Sequence, residues 1–237
     1  MTSFLRFVAA RGNKNPELLV YGDIGDWWGD VQARDFAEQL QAIDAPEIDV
    51  RINSDGGAVF TAQAIYSSLK HHPANINVYI DGIAASAATI VMMTGDRIIM
   101  AENAMIMVHN PLIGVVGNAD ELREWAETLD KVAETIKATY RQKTGLDDET
   151  LDELLSKDTF MSASEALEYG FVDEVTPALK IAAKRGENGT VIINGLTVSA
   201  DRCKRLPSDW LNSVKSYNEP QEKDLVAMTL DELKAQH

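Results

Sequence analysis

Ile76-Asn-Val-Tyr-Ile80 followed by Asp81-Gly-Ile-Ala-Ala-Ser-Ala-Ala88 reads as a strand that gives way to a turn of small residues and then to an apolar helix. The first five residues alternate and are rich in β-branched side chains, while Ala87 to Met93 is a good helix-forming run. Ser86 therefore falls near a helix N-terminus. Unpaired backbone N–H groups and the positive end of the helix dipole favour negative charge there. Two readings follow. Ser86 is a helix N-cap, the commonest use of Ser at such a position, or it is a nucleophile presented by a tight turn.

Outward from this stretch the same strand-to-helix unit recurs. Strand patterns near Leu18–Tyr21, Ile48–Ile52, Ile76–Ile80, Arg97–Ala101 and Met105–Val108 alternate with helical patterns at Val31–Ile43, Ala58–Leu69 and Ser86–Thr94. Repeated βαβ units imply right-handed crossovers and a largely parallel sheet, hence an α/β fold. Ligand sites in such sheets lie at the carboxyl ends of the strands.

Three groups lie at such ends. Ser86 is one. Of the four histidines, only His109 closes a strand-like run, Met105-Ile-Met-Val108, before Asn110-Pro111 stops it; His71 and His72 end a helical pattern and His237 is the last residue. The third group is Asn53-Ser-Asp-Gly-Gly57, a strand-to-helix turn whose glycines allow the backbone to approach a ligand closely. A serine hydroxyl becomes a useful nucleophile when an imidazole takes its proton and a carboxylate orients that imidazole. The N–H of Ala87, next to Ser86, and one from the Gly-Gly turn would be oxyanion donors. The Gly-Gly pair fits neither the dinucleotide nor the phosphate-loop fingerprint. For the carboxylate, composition leaves many candidates among 37 Asp and Glu residues; Asp158, just ahead of a Ser162-x-x-Glu165 capping box, is one of them.

Asn53-Ser-Asp-Gly-Gly57, Ala84-Ala-Ser-Ala-Ala88, Met107-Val-His-Asn-Pro111 and the long run Asp158-Thr-Phe-Met-Ser to Gly170-Phe-Val-Asp173 stand in the order and approximate spacing of the ClpP serine peptidase family. This chain resembles that family over roughly residues 15 to 175. The resemblance implies Ser86 as nucleophile, His109 as general base, Asp158 as the orienting carboxylate, and Gly57 and Ala87 as oxyanion donors. It implies a ClpP/crotonase-like fold with a protruding handle helix, no cofactor and no metal. The amphipathic segment Asn118–Lys143, with apolar Leu122, Trp125, Ala126, Leu129, Val132, Ala133 and Ile136, is either an ordinary helix packed on its own domain or that handle. Gly114-Val-Val-Gly117 fits the strand that, in the family, lines the substrate and meets the opposite ring. Stacked homo-oligomeric rings would admit only unfolded or disordered polypeptide.

Departures from the family are informative too. Asp55 stands where the common motif has proline, the Ser86-to-His109 interval is slightly short, and roughly sixty residues follow Thr176. The expected organisation is a peptidase domain over 1–176, with its handle region at about 110–145, and a C-terminal extension over 177–237. In the extension Thr190–Val198 carries an Asn194-Gly195 hairpin signal, and a partly flexible tail follows. With that extension the chain resembles phage and prophage ClpP-related peptidases, which mature capsid precursors; an ATPase unfoldase or capsid proteins are the expected partners. A net charge of −15 argues against nucleic acid. No long apolar span and no signal peptide is apparent, and one cysteine, Cys203, excludes an internal disulfide framework, which points to the cytoplasm and away from a membrane. The alternatives are a crotonase-like acyl-CoA enzyme, which would not need Ser86, and a catalytically silent ring-forming scaffold.

Overall fold

Alternation of β-branched and polar residues carries over directly into burial: Ile76, Val78 and Ile80 are buried while Asn77 and Tyr79 are only partly so. Burying each such aliphatic side chain contributes roughly 1.5–3 kcal/mol. The computed structural model describes residues 6–8, 15–27, 29–177, 183–185, 190–193 and 196–199. The chain divides into two compact units, Met1–Leu179 and Lys180–His237.

In the first unit the elements run β1 (Arg6–Val8), β2 (Glu17–Ile24), α1 (Ala33–Gln41), β3 (Glu47–Gly57), α2 (Val59–His71), β4 (Asn75–Ala85), α3 (Ala87–Met92), β5 (Arg97–Ala101) and β6 (Met105–Val108). They continue with α4 (Ala119–Thr144), α5 (Asp148–Leu155), β7 (Thr159–Ser162), α6 (Ala163–Glu168) and β8 (Glu174–Thr176). The sheet order is β1-β2-β3-β4-β5-β8, with β6 joined to β4 and β7 to β6. From β2 to β8 neighbours are parallel; β1 on β2 and β7 on β6 are antiparallel. The expected repeated βαβ units and mostly parallel sheet are therefore present.

β3 and β4 are longer than their sequence patterns suggest. Each runs through its glycines: Gly56 and Gly57 still pair with Asp23 and Ile24 of β2. β4 serves two neighbours in turn, Asn77–Ile80 pairing with β5 and Ile83–Ala85 with β6. The change of partner falls at Asp81-Gly82, level with register shifts in β3 between Ile52 and Ser54 and in β2 between Tyr21 and Asp23.

Polar side chains hold this three-strand irregularity. Asp81, 3% exposed, accepts from the Tyr21 hydroxyl at 2.6 Å and from Arg51 Nε at 2.8 Å, and a second Arg51 nitrogen meets its other oxygen. Burial, together with the Asp81 charge, pushes the Tyr21 phenol above its ordinary pKa, so it remains a donor. The Ser54 hydroxyl donates to Gly22 O at 2.6 Å and Ile83 N–H to Asn53 Oδ1 at 3.3 Å. A Cβ on Gly82 would lie 2.5 Å from that same Asn53 oxygen.

α4 begins with an Asn118–Glu121 capping box and ends at Gly145 in the left-handed conformation, φ 72°. Its apolar stripe packs on the domain only toward its C-terminus, where Ile136 and Tyr140 are buried. Leu122 and Trp125 stay 44% and 41% exposed, so the reading of α4 as a helix wholly packed on its own domain does not hold for its first half. The strand expected at Gly114–Gly117 is absent: residues 109–118 form neither helix nor strand. Leu112, 74% exposed, and fully exposed Val116 lie in this segment, which is unpaired with any strand among the described residues. The Ser162–Glu165 capping box is formed.

In the second unit β9 (Ala183–Arg185), β10 (Thr190–Ile193) and β11 (Leu196–Ser199) form a three-stranded sheet in the order β11-β10-β9. Ile193 opposes Leu196, and the expected Asn194-Gly195 turn lies outside the described residues. Cys203 and the expected tail lie outside the described residues.

Asp81→Ala leaves the Arg51 guanidinium and the Tyr21 hydroxyl without their shared acceptor. The expected loss is about 3 kcal/mol of stability, read as a lower urea midpoint with unchanged slope; a midpoint equal to that of the parent protein contradicts this account of the bend.

Candidate active site

Three strands bring the polar groups together, and their register explains how. β4 ends at Ala85, which pairs with Met107 of β6, and the Ser86 N–H donates to Met107 O at 2.8 Å. His109 follows β6 directly. Asp158 immediately precedes β7, whose first residue Thr159 opposes Val108, so the antiparallel register sets Asp158 beside His109. Two tethers hold these ends: the Asn110 N–H donates to Leu155 O at 2.9 Å, and the Thr159 hydroxyl to Leu154 O at 2.6 Å.

Ser86 holds the N-cap position of α3, but its side chain is not used as a cap. Its side chain makes no capping hydrogen bond, and it is the one described non-glycine residue with positive φ, at φ 53° and ψ −125°. Such a conformation costs on the order of 1–3 kcal/mol and persists only where neighbours enforce it. The sharp turn aims Oγ to within 2.7 Å of His109 Nε2. On the other side of the imidazole, Nδ1 lies 3.4 Å from Asp158 Oδ1. His109 and Asp158 side chains are 15% and 28% exposed, enough to leave the assembly open to a ligand.

A cavity of about 230 Å³ opens beside Ser86. Gly57, Ser86, Ala87 and His109 line it together with apolar Val59, Ile90, Leu112, Ile136 and the ring of Tyr140. Gly57 and Ala87, read from the sequence as oxyanion donors, thus share one space with the Ser86 hydroxyl. Both glycines of the Gly-Gly pair have positive φ, 96° at Gly56 and 142° at Gly57. A Cβ on Gly56 would lie 2.5 Å from Ala85 O and 2.8 Å from Ala87 N; one on Gly57 would lie 2.1 Å from Ile24 O. Gly56 therefore lets the backbone of β3 lie directly against the Ser86–Ala87 turn, a part that the sequence reading gave to no residue. Gly57 and Ala87 thus border a largely apolar space next to the Ser86 hydroxyl.

Other contributors went unread in the sequence. Tyr140 continues the apolar stripe of α4 one step past Ile136, so extending the helical spacing would have found it. Thr89 gave no signal of its link to α4, because Tyr140, one of its two hydroxyl partners, lies 51 residues away. Among the described residues no group of three or more His, Cys, Asp or Glu could hold a metal ion, and no described helix is long and apolar enough to cross a membrane.

Comparison with known proteins converges on one family. The family model described as Clp protease matches residues 23–178, a span that contains Gly57, Ser86, His109 and Asp158. The ATP-dependent Clp protease proteolytic subunit of Deinococcus radiodurans is 32% identical over 149 residues, covering 60% of this chain and 73% of that protein. A ClpP1 mutant from Listeria monocytogenes is similar in structure with a TM-score of 0.60 at 26% identity, covering 68% of this chain and 91% of that one. The α/β fold with its mostly parallel sheet is thus ClpP-like.

Gly56→Ala forces a side chain against the Ser86 turn and strains a φ of 96°. The expected results are a melting temperature about 6 °C or more lower and loss of Ser86 reactivity toward a serine-directed fluorophosphonate. An unchanged melting temperature with full labelling contradicts the packing described.

Proposed function

We propose that this chain, which belongs to the Clp protease family, is a serine endopeptidase that cleaves unfolded or disordered polypeptide through an acyl-enzyme intermediate. The observation that carries this reading is the 2.7 Å contact between Ser86 Oγ and His109 Nε2, made at a positive-φ turn at the mouth of the cavity. In the tautomer with its proton on Nδ1, facing Asp158, the imidazole offers a lone pair at Nε2 to the serine hydroxyl.

The reaction then balances as follows. Ser86 Oγ forms a bond to the scissile carbonyl carbon as its proton passes to His109 Nε2, and the carbonyl π electrons become an oxyanion held by the Gly57 and Ala87 N–H groups. Collapse breaks the C–N bond, and His109 gives its proton to the departing amine. Water, deprotonated by His109, repeats the sequence on the ester and frees Ser86. Asp158, 3.4 Å from Nδ1, orients the imidazole.

Apolar Val59, Ile90, Leu112 and Ile136 around the cavity favour an uncharged, medium-sized side chain on the acyl side of the cleaved bond. A second copy of the chain seated on Leu112, Val116, Leu122 and Trp125 would bury apolar surface that one subunit leaves exposed, as stacked rings require. The second unit beyond Leu179 supports a specialised setting such as phage capsid maturation, with capsid proteins or an ATPase unfoldase as partners. A crotonase-type acyl-CoA enzyme does not call for the Ser86–His109 contact, and a silent scaffold does not call for a strained, presented serine.

Fluorophosphonate labelling separates these readings. Labelling at Ser86 that disappears in Ser86→Ala is expected, together with a loss of peptide hydrolysis of at least ~10³-fold; a well-folded oligomer that takes up no label overturns the peptidase. Asp158→Asn should lower kcat by roughly 10³–10⁴-fold with the fold intact; full activity removes Asp158 from the mechanism. In a peptide series, Leu or Met before the scissile bond should exceed Asp or Lys in kcat/KM by about 100-fold or more, and equal rates contradict the cavity as the recognition pocket.

A further inference from the structure

Tyr140 is a phenol where packing alone asks only for a phenyl ring. It is 2% exposed, packs its ring on Phe171 with centroids 5.5 Å apart, and comes from α4, 51 residues from its polar partner. That partner is Thr89 Oγ1, 2.6 Å from the Tyr140 hydroxyl. Thr89 has one hydroxyl proton, and it goes to Ser86 O at 2.5 Å. Thr89 must therefore accept from Tyr140, which fixes the direction of the chain: Tyr140 O–H to Thr89 Oγ1–H to the Ser86 carbonyl. The Thr89 N–H also donates to Ser86 O, at 3.0 Å. Burial raises the Tyr140 hydroxyl to a pKa of about 12, so it keeps its proton throughout the pH range of peptide hydrolysis.

The Ser86 carbonyl and the Ala87 N–H belong to one planar trans peptide and point in opposite directions. Holding the carbonyl toward Thr89 aims the Ala87 N–H the other way. The Thr89 N–H bond is the hold that α3 itself has on this carbonyl, and the two hydroxyls add a second hold anchored on α4. Building on the peptidase reading, we infer that Tyr140 and Thr89 are positioning residues: their hydroxyls form a relay that locks the Ser86–Ala87 peptide plane and so aims the oxyanion donor. Tyr140 belongs to the cavity wall, whereas its hydroxyl serves the relay. Thr89 lies outside the residues that line the cavity, and the Tyr140 hydroxyl is turned to Thr89, so its removal leaves the apolar wall standing. A chain of hydrogen bonds in a buried setting is stiffer than its separate members, and a broken link leaves a polar group unsatisfied.

The test uses full-length protein with Tyr140→Phe, Thr89→Val, the double variant and the conservative Thr89→Ser, each checked for folding and oligomeric state. Peptide hydrolysis should show kcat lowered by about 10-fold or more in Tyr140→Phe and in Thr89→Val, with KM within twofold of the parent; a donor mis-aimed rather than deleted costs less than the ~10²–10³-fold of full removal. The double variant should lose no more than the worse single variant, since one relay is broken either way. Thr89→Ser, which restores the hydroxyl, should recover most of kcat. If Tyr140→Phe does not fold, the Thr89→Val and Thr89→Ser pair carries the same comparison. Variants with kcat within twofold of the parent, a loss expressed in KM, a loss in Tyr140→Phe not shared by Thr89→Val, or multiplicative losses in the double variant each overturn the relay. Parent protein that neither cleaves peptide nor takes fluorophosphonate at Ser86 overturns instead the peptidase reading on which the relay rests.

Discussion

No side chain fits between Gly56 and the turn that carries Ser86, and the site depends on that constraint. Backbone meets backbone there, with the virtual Gly56 Cβ overlapping both Ala85 O and Ala87 N. The closeness lets two consecutive strand ends, β3 and β4, contribute main-chain groups to one small volume. It also explains why the Ser86 turn tolerates a positive φ: the Met107 carbonyl takes its N–H, Thr89 takes its carbonyl, and Gly56 closes the remaining side. Strain is held by three neighbours rather than by the residue itself.

The same logic operates one layer down. β4 changes partner from β5 to β6 at Asp81-Gly82, and without that change β6 would not lie alongside Ala85. Tyr21, Arg51 and Asp81 join three strands at this level, so an ion pair some distance from the chemistry shapes the geometry that makes it possible. A buried pair of this kind need not add net stability over an apolar replacement. Its value here lies in directing each strand to its correct neighbour.

Ser86 and His109 were legible because each sits where a short-range pattern stops, and an interrupted periodicity is a local signal. Asp158 was not. It is one of 37 carboxylates, and what sets it beside His109 is the antiparallel pairing of β6 and β7, a relation that neither strand's own residues encode. Family resemblance supplied it where residue-level reading could not. The lengths of β3 and β4 were misjudged because glycine inside a strand reads as punctuation, whereas here it lets the strand continue past a crowded neighbour. The Gly114–Gly117 strand was carried over from an assembly, and among the described residues of this chain it is paired with no strand.

Half of α4 packs and half projects. From Asn118 to Thr128 every side chain is exposed, while Ile136, Lys137 and Tyr140 are buried. One continuous helix thus spans two protection regimes. In an isolated subunit the amides of its first turns would exchange with solvent through fraying, guarded by little more than the Asn118 cap, while those around Tyr140 would open only with the core. A helix graded in this way records in its own hydrogen-exchange profile whether its outer half has found something to lie against.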